Sequence, residues 1–413
     1  MVLPAEFTAM RSLLRFPLLV LVCVGGLMGT AAGQPTAPVA AGSAARIVTP
    51  WGTVDPPTGT LGRAVFHVTA PPASGRFAVP AGFPQVVAAG VEAAGQTTDL
   101  RVEIAADGSL VEVLCGKCGP GTLAIETLEA STQFDDGRIG LSALDATVTG
   151  SRARLESHPG NHRIGFWTDP TDSVAWTFPA TRWGRYEVRL TYANAGPAGA
   201  GVEVEVGDKR VAARLDSTGS WYRYVTLSLG SVVVDRAGPL PVRVRCTAPV
   251  GNAFMNLKAV CLLPACEGTP PVQAADGTVL LHARDATVRG TMLRWEPAEK
   301  KQTLGYWTRP GDAAEWTFSV TRPGTFAVQL LQGCGTGQGG STMVIQVDPG
   351  TPAATAMEFT VEETGGFQEF RQREPGRVTL TTPGPHLLRV QPRAIARQAA
   401  CDIRQIRLVP VAP

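Results

Sequence analysis

One stretch of this chain is written twice, so its fold must hold two copies of one unit. Leu141-Ser-Ala-Leu-Asp-Ala-Thr-Val-Thr-Gly150 answers Leu281-His-Ala-Arg-Asp-Ala-Thr-Val-Arg-Gly290. Gly165-Phe-Trp-Thr168 answers Gly305-Tyr-Trp-Thr308, and Trp176-Thr-Phe178 answers Trp316-Thr-Phe318. Gly184-Arg-Tyr-Glu-Val188 matches Gly324-Thr-Phe-Ala-Val328, and Thr218-Gly219 with Trp221 matches Thr364-Gly365 with Phe367. The copies close on Leu262-Leu-Pro264 and Leu408-Val-Pro410, with Pro270-Pro271 as the linker between them. Self-similarity in the same order from end to end marks two successive copies of one folded unit.

The periodicity inside the unit is that of strands. Trp176 and Phe178 alternate with Ala175 and Thr177, and Tyr186, Val188 and Leu190 alternate with Glu187 and Arg189. This spacing puts apolar side chains on one face of a half-buried strand. Charged residues make up 17% of the chain, below the roughly 25% of an average globular protein, and no segment carries helical periodicity. The 46 Gly and 33 Pro residues divide the chain into short apolar runs, as sandwich folds require. Ahead of the repeats, Arg63–Thr69, Arg76–Val79, Val86–Ala89, Leu100–Ile104, Leu110–Leu114 and Leu123–Leu128 are further strand-like runs. Asp107-Gly108 between two of them is a hairpin signal. The expected fold class is all-β: three β-sandwich, jelly-roll-like domains over 46–130, 136–265 and 276–411.

The N-terminus predicts export. Arg11 and Arg15 precede an apolar run from Phe16 to Met28, then Gly29, Ala31, Ala32 and Gly33. A charged start, a short apolar middle and small residues are the pattern of a signal peptide, here over 1–33, with Met10 as an alternative start. The run is shorter than the ~20 residues that span a bilayer, so no stable membrane span is expected. A linker follows over 34–45. The expected location is periplasmic, cell-surface or extracellular.

Removal of the signal peptide would leave Cys115, Cys118, Cys246, Cys261, Cys266, Cys334 and Cys401, an odd number. Cys115-Gly-Lys-Cys118 precedes Gly119-Pro120-Gly121 and another strand-like run, so it reads as a turn. A thioredoxin-type pair would open a helix instead. Lys plus Arg exceed Asp plus Glu by only two and are dispersed, which argues against nucleic acid as a partner.

Two resemblances bear on function. The 46–130 segment resembles the C-terminal β-sandwich of alpha-L-fucosidases of the GH29 type, through Trp51-Gly-Thr53, Leu61–Val68, Gly75-Arg-Phe-Ala-Val-Pro80 and Asp107–Leu114. The repeats are similar to galactose-binding-like jelly rolls of the CBM6 and CBM35 kind. Their openings, the Gly-aromatic-Trp step and Trp-x-Phe before Gly-x-(Tyr/Phe) carry the likeness. The second resemblance implies a structural calcium held partly by a Glu before Asp-Ala, but Leu144 and Arg284 stand there. No cofactor or metal is expected, and Asp145 and Asp285 read as turn or strand-end residues.

Catalysis lacks its kit. A fucosidase barrel occupies ~250 residues of alternating strands and helices, and the β-modules leave no room for it. The chain has no His-Glu-x-x-His, no Gly-x-Ser-x-Gly and no Walker motif. His158 and His162 flank a polar loop as the one histidine pair.

Sugar binding asks for an aromatic plane with amides and charges beside it. Trp167, Trp307, Trp176 and Trp316 occur in both copies at core-compatible spacing and read as packing residues. Trp183 and Tyr192 belong to the first copy only. In Trp221–Leu229, Tyr222 and Tyr224 alternate away from the apolar positions, which predicts two tyrosines on a wet face. Asn194, Asn252 and Asn256 lie in or beside Gly-rich loops. The candidate ligand-binding set is Trp183, Tyr192, Asn194, Tyr222, Tyr224 and Asn256. The expected function is non-catalytic recognition of a polysaccharide or other glycan. The alternatives are an adaptor that docks a separate glycoside hydrolase, and a detached fucosidase tail without independent activity.

Overall fold

The computed structural model describes residues 47–55, 62–80, 83, 85–93, 96–116 and 119–411. The expected signal peptide and the linker lie outside the described residues, as does Cys118. No helix among the described residues is long and apolar enough to cross a membrane.

Each repeat folds as two antiparallel sheets packed face to face. In the first, one sheet runs Thr147–Thr149, Ser173–Ala180, Gly238–Ala248, Ala200–Val206, Lys209–Leu215. The second repeat reproduces that order with Thr287–Arg289, Ala313–Val320, Gly384–Ala394, Thr342–Val347 and Thr355–Thr360. The facing layer is Ile139–Ser142, Asn256–Pro264, Gly184–Ala193 and Arg223–Val234 in the first copy. In the second it is Val279–His282, Asp402–Pro410, Gly324–Cys334 and Gly366–Leu380. The written duplication is therefore also a duplication of strand order.

Alternation decides what faces inward. Tyr186, Val188 and Leu190 are fully buried, while Glu187 and Arg189 lie on the outer face. Trp176 and Trp316 are both buried, and each indole satisfies its N–H on the opening strand's carbonyl. Trp176 Nε1 donates to Ser142 O at 2.8 Å and Trp316 Nε1 to His282 O at 2.7 Å. Buried tryptophan needs such an acceptor, which explains why the opening motif and the Trp-x-Phe strand recur together. Asp145 and Asp285 end short 3₁₀ turns, Ala143–Asp145 and Ala283–Asp285, as turn residues. Asp145 accepts from the Ser131 N–H, which ties the turn to the preceding segment.

The segment before the repeats packs Trp51, Phe66, Phe77 and Phe83 into one cluster, with Trp51 stacked on Phe66 at 5.1 Å between centroids. Asp107-Gly108 turns the chain between Gln96–Ile104 and Val111–Leu114, which pair antiparallel. Cys115 follows that strand and is disulfide-bonded, and the next element is the strand Gly121–Thr127, not a helix. Cys246, Cys261, Cys266, Cys334 and Cys401 are free thiols.

This segment does not close on itself. Strand Gln96–Ile104 pairs with Arg223–Val234 of the first repeat, with Tyr224 opposite Val102. Ala193 and Tyr224, both from the first repeat, complete its core. One sheet therefore runs across the boundary between 46–130 and 136–265.

Candidate functional site

The same short hairpin stands at one end of each repeat. Arg154–Glu156 pairs with Arg163–Gly165, and Arg294–Glu296 pairs with Thr303–Gly305. The chain then sends Trp167 or Trp307 inward, both fully buried, which turns the intervening aromatic outward. Phe166 is 51% exposed and Tyr306 43% exposed. Thr168 N–H returns to Phe166 O, and Thr308 N–H to Tyr306 O, each at 2.9 Å, closing a tight three-residue turn.

Both outward aromatics have left-handed backbone, with φ of 53° at Phe166 and 63° at Tyr306. For a bulky L-residue this costs roughly 1–2 kcal/mol, and a glycine would avoid the cost. Each ring is held by a guanidinium: Arg154 lies 3.7 Å from the Phe166 centroid and Arg294 4.0 Å from that of Tyr306. Such contacts stabilise and orient a ring that would otherwise be loose in water.

At the glycine before each ring sits a polar pair, buried in the second copy and partly buried in the first. A Cβ on Gly165 would lie 2.3 Å from Glu156 Oε2 and 3.0 Å from Asn256 Oδ1. On Gly305 it would lie 2.4 Å from Glu296 Oε2 and 3.3 Å from Asp402 Oδ1. Glycine is required because the carboxylate occupies the side-chain position. Glu156 accepts from Arg163 Nε at 2.8 Å and Glu296 from Lys301 Nζ at 2.6 Å. Asn256 Nδ2 donates to Trp221 O at 2.8 Å, which places the Trp221 segment beside the first hairpin. In the second copy, burial first and Glu296 second raise the Asp402 carboxyl to about 8. Its Oδ2 has no hydrogen-bond partner among the described residues.

The expected set of binding residues is dispersed. Asn256 belongs to this cluster, and Tyr222 borders it, with Arg163 5.1 Å from its ring centroid. Trp183 stands instead at the junction of the repeats, edge-on to Tyr306 at 5.5 Å, with Arg294 4.0 Å from its ring. Three further contacts fix that junction: Thr181 Oγ1 to Thr291 O at 2.6 Å, Arg182 Nε to Gly290 O at 2.9 Å, and Arg182 Nη2 to Val288 O at 3.2 Å.

Three residues must be corrected. Tyr224 was expected on a wet face, but strand Gln96–Ile104 pairs alongside it and the core of the N-terminal segment takes its ring, so the tyrosine is buried with its hydroxyl donating to Asn161 Oδ1 at 2.9 Å. Tyr192 lies in the first repeat's core, its hydroxyl accepting from Asp216 N–H at 3.0 Å. Asn194 is a buried turn former, with Oδ1 accepting from Gly196 N–H at 2.8 Å and Nδ2 donating to Pro197 O at 3.2 Å. Sequence reasoning did not single out Phe166, Tyr306, Arg154, Arg294, Glu156 or Glu296. The Gly-aromatic-Trp step in both copies was the available signal, read there as a mark of duplication and of the jelly-roll resemblance and not as a binding feature. His162 Nδ1 meets Ser157 Oγ at 3.1 Å, and no group of three or more metal-ligating side chains occurs among the described residues.

No family model and no curated protein matches this chain. Among solved structures it is similar to a GH26-CBM35 beta-(1,4)-mannanase from Podospora anserina, with 15% identity over 33% of this chain and a TM-score of 0.27. The match spans only 29% of the mannanase. It is also similar to a family 35 carbohydrate-binding module from Clostridium thermocellum, with 18% identity, 30% of this chain, 96% of that one and a TM-score of 0.27. A xanthan lyase from Paenibacillus aligns over 89% of this chain and 34% of its own, with 14% identity and a TM-score of 0.30.

Proposed function

We propose that this is an exported, non-catalytic glycan-binding protein, whose two repeats each present one aromatic platform to a sugar ring. One observation carries the reading: Phe166 and Tyr306 occupy equivalent places, both exposed, both in strained left-handed backbone, both backed by an arginine. Local strain that persists at an exposed bulky residue points to function. A flat ring at the surface suits the apolar face of a pyranose. Glu156 with Asn256, and Glu296 with Asp402, flank the glycine next to each platform, where hydroxyl groups would find acceptors and donors. The charged start and apolar run at the N-terminus support export, and a sequence without His-Glu-x-x-His, Gly-x-Ser-x-Gly or Walker motifs supports the non-catalytic reading. Two weak sites on one chain would add avidity on a polymer able to reach both.

Replacing Phe166 and Tyr306 by glycine separates function from folding, because glycine accepts the left-handed backbone. On a glycan array, wild-type protein is expected to bind at least one polysaccharide. The double variant should bind it at least about ten-fold more weakly, since an anchoring aromatic is worth ~2 kcal/mol or more, while its thermal midpoint stays near wild type. A wild type that binds no glycan, or a double variant that binds as tightly, would overturn the proposal.

A further inference from the structure

A cavity lined by neither Phe166 nor Tyr306 lies where the N-terminal segment and the two repeats meet. It has a volume of about 860 Å³. Ligand sites usually run ~300–1,000 Å³. Its floor is the outer face of the first repeat's sheet, where Thr191 and Thr226 hydroxyls meet at 3.4 Å.

Its walls are built of arginine–carboxylate pairs. Arg189 reaches Asp99 of the N-terminal segment at 3.0 Å, and Arg138 reaches Glu126 at 2.9 Å. From the second repeat, Glu315 takes Arg289 at 2.9 Å and Arg389 at 3.5 Å. Arg138 also holds Asp136 at 2.7 Å and Arg189 also reaches Glu187 at 3.2 Å, whereas the five N–H donors of a guanidinium leave further capacity at Arg289 and Arg389. Arg389 Nε is buried without a hydrogen-bond partner among the described residues.

The chemistry of the lining selects the ligand. Five arginines and five acidic residues balance, which disfavours a polyanion or a polycation. Phe134 is the one aromatic in the lining, and Arg138 already lies 4.8 Å from its ring centroid, so stacking is not the mode. Dense, alternating donors and acceptors around a neutral space match the hydroxyl groups of an uncharged sugar chain. We propose that this three-module cleft is a separate binding site for a neutral oligosaccharide, held through its hydroxyl groups. The ligand class rests on the glycan-binding reading above; the site does not.

The test is calorimetric titration of the full chain with cellotetraose, xylotetraose and mannotetraose. Thr226→Trp fills the cleft from its floor without touching an ion pair, and Arg389→Gln removes donors while Arg289 still holds Glu315. With Phe166→Gly and Tyr306→Gly present, one class of site for at least one of these sugars is expected to remain. Either cleft substitution should then weaken it at least about ten-fold. If the platform variant abolishes all binding, the cleft proposal fails and the platform reading stands. If only the cleft substitutions weaken wild-type binding, the platform reading fails and the cleft stands. No binding of any of the three to wild type overturns the cleft proposal. A tetragalacturonate bound more tightly than every neutral sugar overturns the ligand class.

Discussion

Lys258→Met is expected to raise stability by about 2–4 kcal/mol at pH 6, an advantage that shrinks by roughly half at pH 9. Lys258 is buried where the first repeat meets the N-terminal segment. Burial first, and the charge of Arg163 second, pull its amine down to about 7. Its partners are two amide oxygens: Asn161 Oδ1 at 3.3 Å and Gln85 Oε1 at 3.5 Å. Neither depends on it, since Asn161 Oδ1 also accepts from the Tyr224 hydroxyl at 2.9 Å and Gln85 Oε1 from His162 N–H at 2.9 Å. Methionine keeps the length of the stem and leaves no acceptor unpaired.

The sign follows from the lowered pKa. Between about 7 and the ordinary 10.5, the unfolded chain holds a proton on Lys258 that the folded chain lacks, so stability rises with pH across that window. Below it both states are protonated and the full cost of burying the charge remains. Urea unfolding of both proteins at pH 6 and pH 9 checks this. A variant that is less stable at pH 6, or whose advantage does not change with pH, refutes it.

The same region shows what could and could not be read ahead of the structure. Strand alternation at Tyr186, Val188 and Leu190, the Asp107-Gly108 hairpin and the paired turns at Asp145 and Asp285 are local consequences of local sequence. The environment of Tyr224 is not. Its face is dry because it joins the core of a segment more than a hundred residues earlier in the chain, whose Val102 pairs beside it. Phe166 and Tyr306 illustrate a different gap. Their motif was visible, but a bulky residue in left-handed backbone contradicts its own propensity, and the residue that follows each, Trp167 or Trp307, is buried in the core. Sequence patterns report what favours the local chain, and these two residues are held against that preference.

Asp402→Asn should act with the opposite pH dependence. The first repeat already carries Asn256 at the matching place, so the amide is compatible with this fold. Asp402 is buried against Glu296 and raised from the ordinary 3.8 to about 8. Between those values the folded chain holds a proton that the unfolded chain has lost, so stability falls as pH rises and the cost is complete above about 8. Asparagine cannot ionise, and the expected gain is about 2–5 kcal/mol at pH 9, falling to about 1 kcal/mol near pH 5. The two groups lie in different repeats with separate cores, so their effects should add within about 0.5 kcal/mol. Near pH 7–8 the folded chain tends to leave Lys258 uncharged and keep Asp402 protonated, whereas the unfolded chain charges both. Folding at neutral pH must therefore move one proton off and one on. The double variant should gain most there, more than at pH 5 or pH 10. Unfolding midpoints across that range decide it: a gain that is flat with pH, or much smaller than the sum of the single variants, would mean that these groups are not buried as described.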